Sequence, residues 1–122
     1  LVNRVNPGTR GRGATQLVAE RLGATPPPGE HEVWPGVRLS LEMRAPIDRA
    51  LYFHSFEVRT ARLLATLLPR GGTFVDIGAN IGFFAVLGAR AVGPSGRVEC
   101  FEPNPPTAAA LRRNLARNGV GH

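Results

Sequence analysis

The feature that most constrains the fold is a short apolar segment that leads directly into a turn with two glycines. Thr73–Ile77 is β-branched and aromatic except for Asp76, which predicts a strand. Residues 78–82 follow as Gly-Ala-Asn-Ile-Gly, and residues 81–92 then have the apolar spacing of a helix. A strand that passes through a glycine turn into a helix is the first unit of a doubly wound sheet.

A second unit of the same kind follows at once. A turn at residues 93–96 precedes a second apolar strand at residues 98–101. Asn104 then has the place of a helix N-cap and Pro105 that of the first helical residue, while Gly119 marks the end of this helix. Strand, helix, strand and helix with short turns predict a right-handed parallel unit.

Two further elements are predicted upstream of the glycine turn. In residues 37–43 apolar and polar side chains alternate, which indicates an antiparallel or edge strand with one wet face. In residues 55–68 the apolar residues recur at three and four, which indicates a helix that Pro69 ends. The predicted fold is therefore α/β, a partial Rossmann-like doubly wound parallel sheet preceded by a short strand and a helix.

Residues 1–35 are rich in proline, glycine and arginine and are expected to be a flexible leader. Arg4, Arg10 and Arg12 could form an arm that binds nucleic acid, or a solvated tail. The tail is favoured, because no aromatic residue for base stacking lies among them. Nucleic acid is therefore not the expected partner, although the net charge of the chain is +6.

Composition excludes several classes of protein. With 43% hydrophobic and 20% charged residues, the chain has the composition of one globular unit. Cys100 is the only cysteine, so neither a disulfide framework nor a zinc site built on paired cysteines is expected. Residues 73–92 contain Asp, Asn and Arg, which argues against a membrane span. We expect a cytoplasmic protein without a metal site.

Asp76 bears on the kind of ligand that the glycine turn would bind. A dinucleotide would bring a pyrophosphate to this turn, and a carboxylate about 4 Å away would oppose it by roughly 4 kcal/mol at an effective dielectric near 20. S-adenosylmethionine carries an ammonium and a sulfonium group instead, which the same carboxylate would attract. The alternative is that Asp76 only caps the turn.

Glu102 predicts an adenosine-containing ligand. It lies 24 residues after Gly78, at the end of the second predicted strand, where a carboxylate can accept hydrogen bonds from both ribose hydroxyls. Nicotinamide-dependent and methyl-donor enzymes share this device, so Glu102 does not choose between them. A plain carboxylate at a helix entry is the alternative.

The segment from residue 53 to residue 119 resembles the FkbM family of class I S-adenosylmethionine-dependent methyltransferases. The turn with Asn80 in its middle and the Phe-Glu-Pro-Asn-Pro segment at residues 101–105 are the specific part of this resemblance. The matching positions are residues 75–84, residues 101–105, Leu111, Asn114, residues 118–119 and, upstream, Phe56 and Glu57.

The resemblance implies methyl transfer from S-adenosylmethionine to a hydroxyl group of a polyketide, a sugar or a similar small molecule. It also implies that Glu102 holds the ribose of the cofactor. The other implied cofactor-binding residues are Asp76, Gly78, Ala79, Asn80, Gly82, Asn104 and Glu57. For Asn104 a capping role explains the residue equally well, and Glu57 could instead form a salt bridge with a neighbouring arginine.

Residues 36–122 are expected to be the N-terminal portion of such a domain, truncated after the second βα unit. A complete domain of this class has around 200 residues and about seven strands. The catalytic base and the adenine-binding residues would then come from later strands, so this fragment alone is expected to be inactive. An RNA methyltransferase, a non-catalytic nucleotide-binding module and, more remotely, an NAD-dependent oxidoreductase remain open; the oligomeric state is not predicted.

Overall fold

The computed structural model describes residues 17–19 and 21–120, so the interpretation of Arg4, Arg10 and Arg12 lies outside the described residues. Residues 17–19 and 21 are helical, and residues 29–117 contain four strands and four helices. In chain order they are β1 (Gly29–Trp34), β2 (Val37–Leu41), α1 (Pro46–Tyr52), α2 (Val58–Leu67), β3 (Thr73–Ile77), α3 (Phe83–Val92), β4 (Arg97–Phe101) and α4 (Pro105–Arg117).

Strands β3 and β4 form the predicted parallel pair. Their register runs from Thr73 opposite Arg97 to Ile77 opposite Phe101, with α3 as the connection between them. The α/β class is confirmed, and the sheet of the described residues has two parallel strands. Both strands end at the same edge, which places the two turns that follow them side by side.

Strands β1 and β2 form a separate antiparallel hairpin. The predicted alternation of β2 is confirmed, because Val37, Leu39 and Leu41 are buried. Strand β1, however, lies within the stretch expected to be a flexible leader, and Val33 in it is only 1% exposed. The leader prediction was wrong there, because pairing with β2 satisfies the backbone of a strand whose sequence is mostly polar.

Two of the helices, α2 and α3, begin directly after a residue with left-handed backbone. Helix α2 begins at Val58 after Glu57, which has φ 38°, and α3 begins at Phe83 after Gly82, which has φ 98°. Both helices therefore start two or three residues later than their apolar spacing predicts. Helix α1 was not predicted, because seven residues are too few to show a helical period.

The main core lies between the hairpin and the helices α1, α2 and α3. An aromatic cluster joins these elements: Phe56 lies 5.8 Å from Phe83 and Trp34 lies 6.3 Å from Phe83, measured between ring centroids. Such edge-on aromatic contacts add to the stabilisation from buried area. The core therefore fixes the first residue of α3, which directly follows the glycine turn.

The face of the β3–β4 sheet that points away from α3 is open. Val75, Ile77 and Phe101 on this face are 48%, 82% and 53% exposed. In residues 17–19 and 21–120, no helix has the length and apolar character needed to cross a membrane.

Candidate cofactor site

The turn between β3 and α3 requires glycine at both of its ends, for different reasons. Gly78 has φ 80° and a Cβ there would meet no atom within 4 Å, so only the backbone angle demands glycine. At Gly82, with φ 98°, a Cβ would lie 2.7 Å from Cδ1 of Leu111. Gly82 thus also allows α4 to pack against the turn.

Most backbone N–H groups of this turn donate hydrogen bonds within the protein. Those of Gly78 and Ala79 donate to the carbonyl of Phe101, at 2.8 and 3.0 Å, and that of Gly82 donates to Ala79, at 2.9 Å. The N–H of Asn80, which has φ 49°, donates to Oε2 of Glu102 at 3.0 Å. A phosphate-binding loop needs several free N–H groups, and here four of the five residues have used theirs.

Glu102 lies directly after β4 and joins the two turns at this edge of the sheet. Its Oε2 accepts from Asn80, and its Oε1 accepts from the backbone N–H of Asn104 at 2.9 Å. The carboxyl group is half-buried. Each oxygen keeps a second lone pair, so the fixed carboxylate can still accept hydrogen bonds from a ligand.

Asn104 is the N-cap of α4, as its sequence position predicts. Its Oδ1 accepts from the backbone N–H of Thr107 at 3.3 Å, and Pro105 is the first helical residue. Through its own N–H, Asn104 also fixes the carboxylate of Glu102. The capping interpretation is confirmed, and the contact with adenosine stays a prediction.

Asp76 points toward α3. Its carboxyl group accepts a hydrogen bond from the backbone of Ala85, the third residue of α3, and its Oδ2 is buried with no hydrogen-bond partner among the described residues. Burial raises the pKa of Asp76, and the bond from Ala85 lowers it in part. Since Gly82 supplies no side-chain cap, Asp76 does so from the strand, which supports the capping alternative.

Glu57 belongs to a different part of the fold, at the N-cap of α2. It is exposed, and its Oε2 accepts from the hydroxyl of Thr60 at 2.7 Å. Its neighbour Phe56 packs against Phe83 and Phe84 at the start of α3. The contact with the start of α3 is thus made by Phe56, and the role of Glu57 toward a cofactor stays a prediction.

Cys100 is paired with Asp76 in the register of β3 and β4. Burial, and after it the carboxylate of Asp76, raises the pKa of the Cys100 thiol. A protonated thiol within a strand is a poor nucleophile, in agreement with a packing role.

Two cavities flank these elements. The smaller, about 340 Å³, adjoins Asn80 and Ile81 and extends between the end of β2 and the start of α4. The larger, about 560 Å³, reaches Gly96 in the loop that precedes β4. The smaller cavity lies at the carboxyl ends of the strands, where parallel sheets bind ligands, but of the candidate cofactor-binding residues only Asn80 lines it, and Glu102 does not.

Asn114 is a residue of the site to which the sequence pattern assigned no role. It lies on α4, is fully buried, and its Nδ2 donates to the carbonyl of Ile81 in the turn at 2.9 Å. A signal for it exists in the sequence, because Leu111 and Leu115 enclose an asparagine on the buried stripe of a helix.

The comparisons with known proteins agree with the resemblance in general terms. Over 65 residues, 53% of the chain, it is 32% identical to a probable cobalt-precorrin-6B C(15)-methyltransferase (decarboxylating) of Pyrobaculum aerophilum. The chain spans about a third of the length of this curated relative. No protein-family model matches the chain. The similarity is thus to a methyltransferase as such, and membership of the FkbM family stays a prediction.

Proposed function

We propose that the protein is an S-adenosylmethionine-dependent methyltransferase that methylates a hydroxyl group of a small molecule. The observation that carries the proposal is the carboxylate of Glu102, held at the end of β4 by the N–H groups of Asn80 and Asn104. It lies beside the glycine turn, at the edge where parallel sheets bind their ligands. A carboxylate fixed there fits the two hydroxyls of a ribose.

The occupied amides of the turn favour this cofactor over a dinucleotide. A pyrophosphate binds to free N–H groups at the start of a helix. Here the turn uses its own N–H groups, and Asp76 already places a carboxyl group at the start of α3. Adenosine bound through its ribose hydroxyls needs no free N–H group in the turn, and the carboxyl group of Asp76 does not oppose it.

The residues present fit the cofactor, and their roles follow from their geometry. S-adenosylmethionine, when bound, supplies a methyl group on a sulfonium centre. Glu102 would accept hydrogen bonds from the ribose, and the turn from Gly78 to Gly82, fixed to Phe101, would hold its shape without reorganising. The small-molecule hydroxyl acceptor is supported by the resemblance of residues 75–84 and 101–105 to the FkbM family.

The test is cofactor binding to full-length protein carrying Glu102→Ala. Removing a charged acceptor of two hydrogen bonds costs about 1.5–3 kcal/mol, so S-adenosylhomocysteine should bind roughly 10- to 150-fold more weakly in calorimetry. Glu99→Ala is the matched control, because Glu99 lies on the same strand and pairs with Arg97 at 2.7 Å, away from the turn. It should leave the affinity unchanged.

Two results would overturn the proposal. If the parent protein binds NADH and not S-adenosylhomocysteine, the methyltransferase assignment fails. If the parent binds S-adenosylhomocysteine and not NADH, but Glu102→Ala binds S-adenosylhomocysteine as tightly as the parent does, Glu102 is not part of the site and the observation that carries the proposal is lost.

A further inference from the structure

Asn114 makes hydrogen bonds to two separate segments from a position with 0% exposure. Its Nδ2 donates to the carbonyl of Ile81 at 2.9 Å, and its Oδ1 accepts from the backbone N–H of Ser40 at 2.9 Å. Arg117 also donates to this Oδ1, at 3.3 Å. Because Ile81 offers only an acceptor and Ser40 only a donor, the orientation of the amide is fixed by its partners.

The bond to Ile81 replaces one that a regular helix would make. If α3 extended back by one turn, the N–H of Ala85 would donate to the carbonyl of Ile81. That N–H is hydrogen bonded to Asp76 instead, and the carbonyl of Ile81 accepts from Asn114. The buried Asn114 and the half-buried Asp76 thus satisfy the backbone where the turn meets the helix, in which Asn80 and Gly82 have left-handed angles.

We propose that Asn114 is a positioning residue for the cofactor: it acts through Ile81 to hold the N–H of Asn80 toward Glu102. The inference rests on the proposed function, since it concerns the same site. The bond at Ile81 fixes the peptide between Ile81 and Gly82, two peptide units after the one that carries the N–H of Asn80, and that N–H in turn fixes one oxygen of Glu102. Without the bond from Asn114 to Ile81 the turn becomes more mobile, and the carboxylate of Glu102 is then held less firmly in one orientation.

The chain offers a matched control one helical turn later. Asn118 also bonds to the hairpin through its side chain: its Oδ1 accepts from the N–H of Arg38 at 3.1 Å, and its Nδ2 donates to the carbonyl of Arg38. Its Nδ2 donates as well to the backbone carbonyl of Asn114 at 2.8 Å, a bond within α4. It therefore shares with Asn114 the role of joining α4 to β2. A change there tests the joining of α4 to β2 without touching the glycine turn.

The experiment compares Asn114→Asp and Asn118→Asp in full-length protein. Aspartate has the shape of asparagine and keeps the acceptor for Ser40, but it cannot donate to Ile81 when ionised. In Asn114→Asp, amide hydrogen exchange at residues 79–83 should accelerate about tenfold or more, and S-adenosylhomocysteine should bind about tenfold more weakly. In Asn118→Asp, neither quantity should change.

A second variant covers the case in which a buried carboxylate prevents folding. Asn114→Ser removes the same bond to Ile81 without adding a charge, and circular dichroism reports whether each variant is folded. The same acceleration and the same loss of affinity are expected for it.

The outcomes separate this inference from the proposed function. Unchanged exchange at residues 79–83, unchanged affinity despite faster exchange, or equal losses in both aspartate variants would each overturn the role of Asn114. If the parent protein does not bind S-adenosylhomocysteine, the proposed function fails and the positioning of a cofactor fails with it. The exchange data then decide only whether Asn114 fixes the turn.

Discussion

At the scale of single residues, two carboxyl groups near the same edge of the sheet have opposite surroundings. Glu102 accepts two backbone hydrogen bonds and keeps part of its surface exposed, whereas Asp76 lies beneath α3 with one oxygen buried and unpartnered. Desolvation penalises the charged form of a carboxyl group that lacks compensating donors. The two residues therefore cannot play equivalent parts toward a ligand.

The raised pKa of Asp76 makes stability depend on pH. The folded state holds this proton more tightly than the unfolded state, so the group favours folding fully below its ordinary value of 3.8. This contribution is lost as the pH rises through the raised pKa. The free energy of unfolding of the parent, relative to Asp76→Asn, should therefore fall over that window in urea titrations. Parallel curves for the two proteins would contradict the burial of this carboxyl group.

Residue roles could be predicted from sequence where they depend on neighbours in the chain. Asn104 as an N-cap and Gly78 with a positive φ follow from local rules, and both are confirmed. The direction of Asp76 could not be predicted, because strand alternation does not say which face of the sheet α3 covers. The contact of Asn114 with Ile81 joins residues 33 positions apart, which no local pattern specifies.

At the scale of elements, the contact of α3 with β3 depends on a glycine in the middle of the helix. A Cβ at Gly88 would lie 2.3 Å from Cδ1 of Phe74 and 3.0 Å from its Cγ. Phe74 thus lies directly against the backbone of α3. The same close approach lets Asp76, two residues further along β3, reach Ala85.

Gly88→Ala should destabilise the protein although alanine favours helices. Alanine gains up to about 1 kcal/mol in helix propensity, while overpacking of a core contact costs about 1–3 kcal/mol. In urea unfolding we expect a net loss. In a protein that already carries Phe74→Leu, adding Gly88→Ala should be neutral or stabilising, because the smaller side chain leaves room for the new methyl group. A loss that is additive in the double variant would rule out Phe74 as the cause.

The elements that the sequence predicted have a clear period and an apolar face, as β2, β3 and α4 do. The two elements that it did not predict, β1 and α1, show neither a clear period nor an apolar face in their sequences. Strand β1 is mostly polar and follows three prolines, and α1 has only seven residues. Their conformations depend on packing against β2 and the aromatic core, which a window of sequence does not contain.

At the scale of the whole molecule, helices cover one face of the parallel sheet, and within residues 17–19 and 21–120 no helix covers the other. The other face presents Val75, Ile77 and Phe101, and its two strands are fewer than the three or more that an independently stable sheet needs. The hairpin and the helices supply the core that compensates. The candidate site therefore lies between the packed core of the hairpin and helices and the exposed face of the β3–β4 sheet.

The open face should bind an apolar dye. In the 122-residue chain we expect the fluorescence of 8-anilinonaphthalene-1-sulfonate to fall markedly on changing Ile77 and Phe101 to serine. The matched control changes Leu63 and Leu67 of α2, which are 57% and 67% exposed, and should lower the signal less. Circular dichroism checks that the helical content is retained. Equal decreases in both double variants would show that the sheet face is not the main apolar surface.

The two asparagines of α4 also have a consequence for association between chains. A strand edge with free N–H and C=O groups is a template on which strands of other molecules can add. On β2 the N–H groups of Arg38 and Ser40 and the carbonyl of Arg38 are bonded to the amides of Asn118 and Asn114. A strand of another molecule could therefore pair with this edge only after displacing the two asparagine amides.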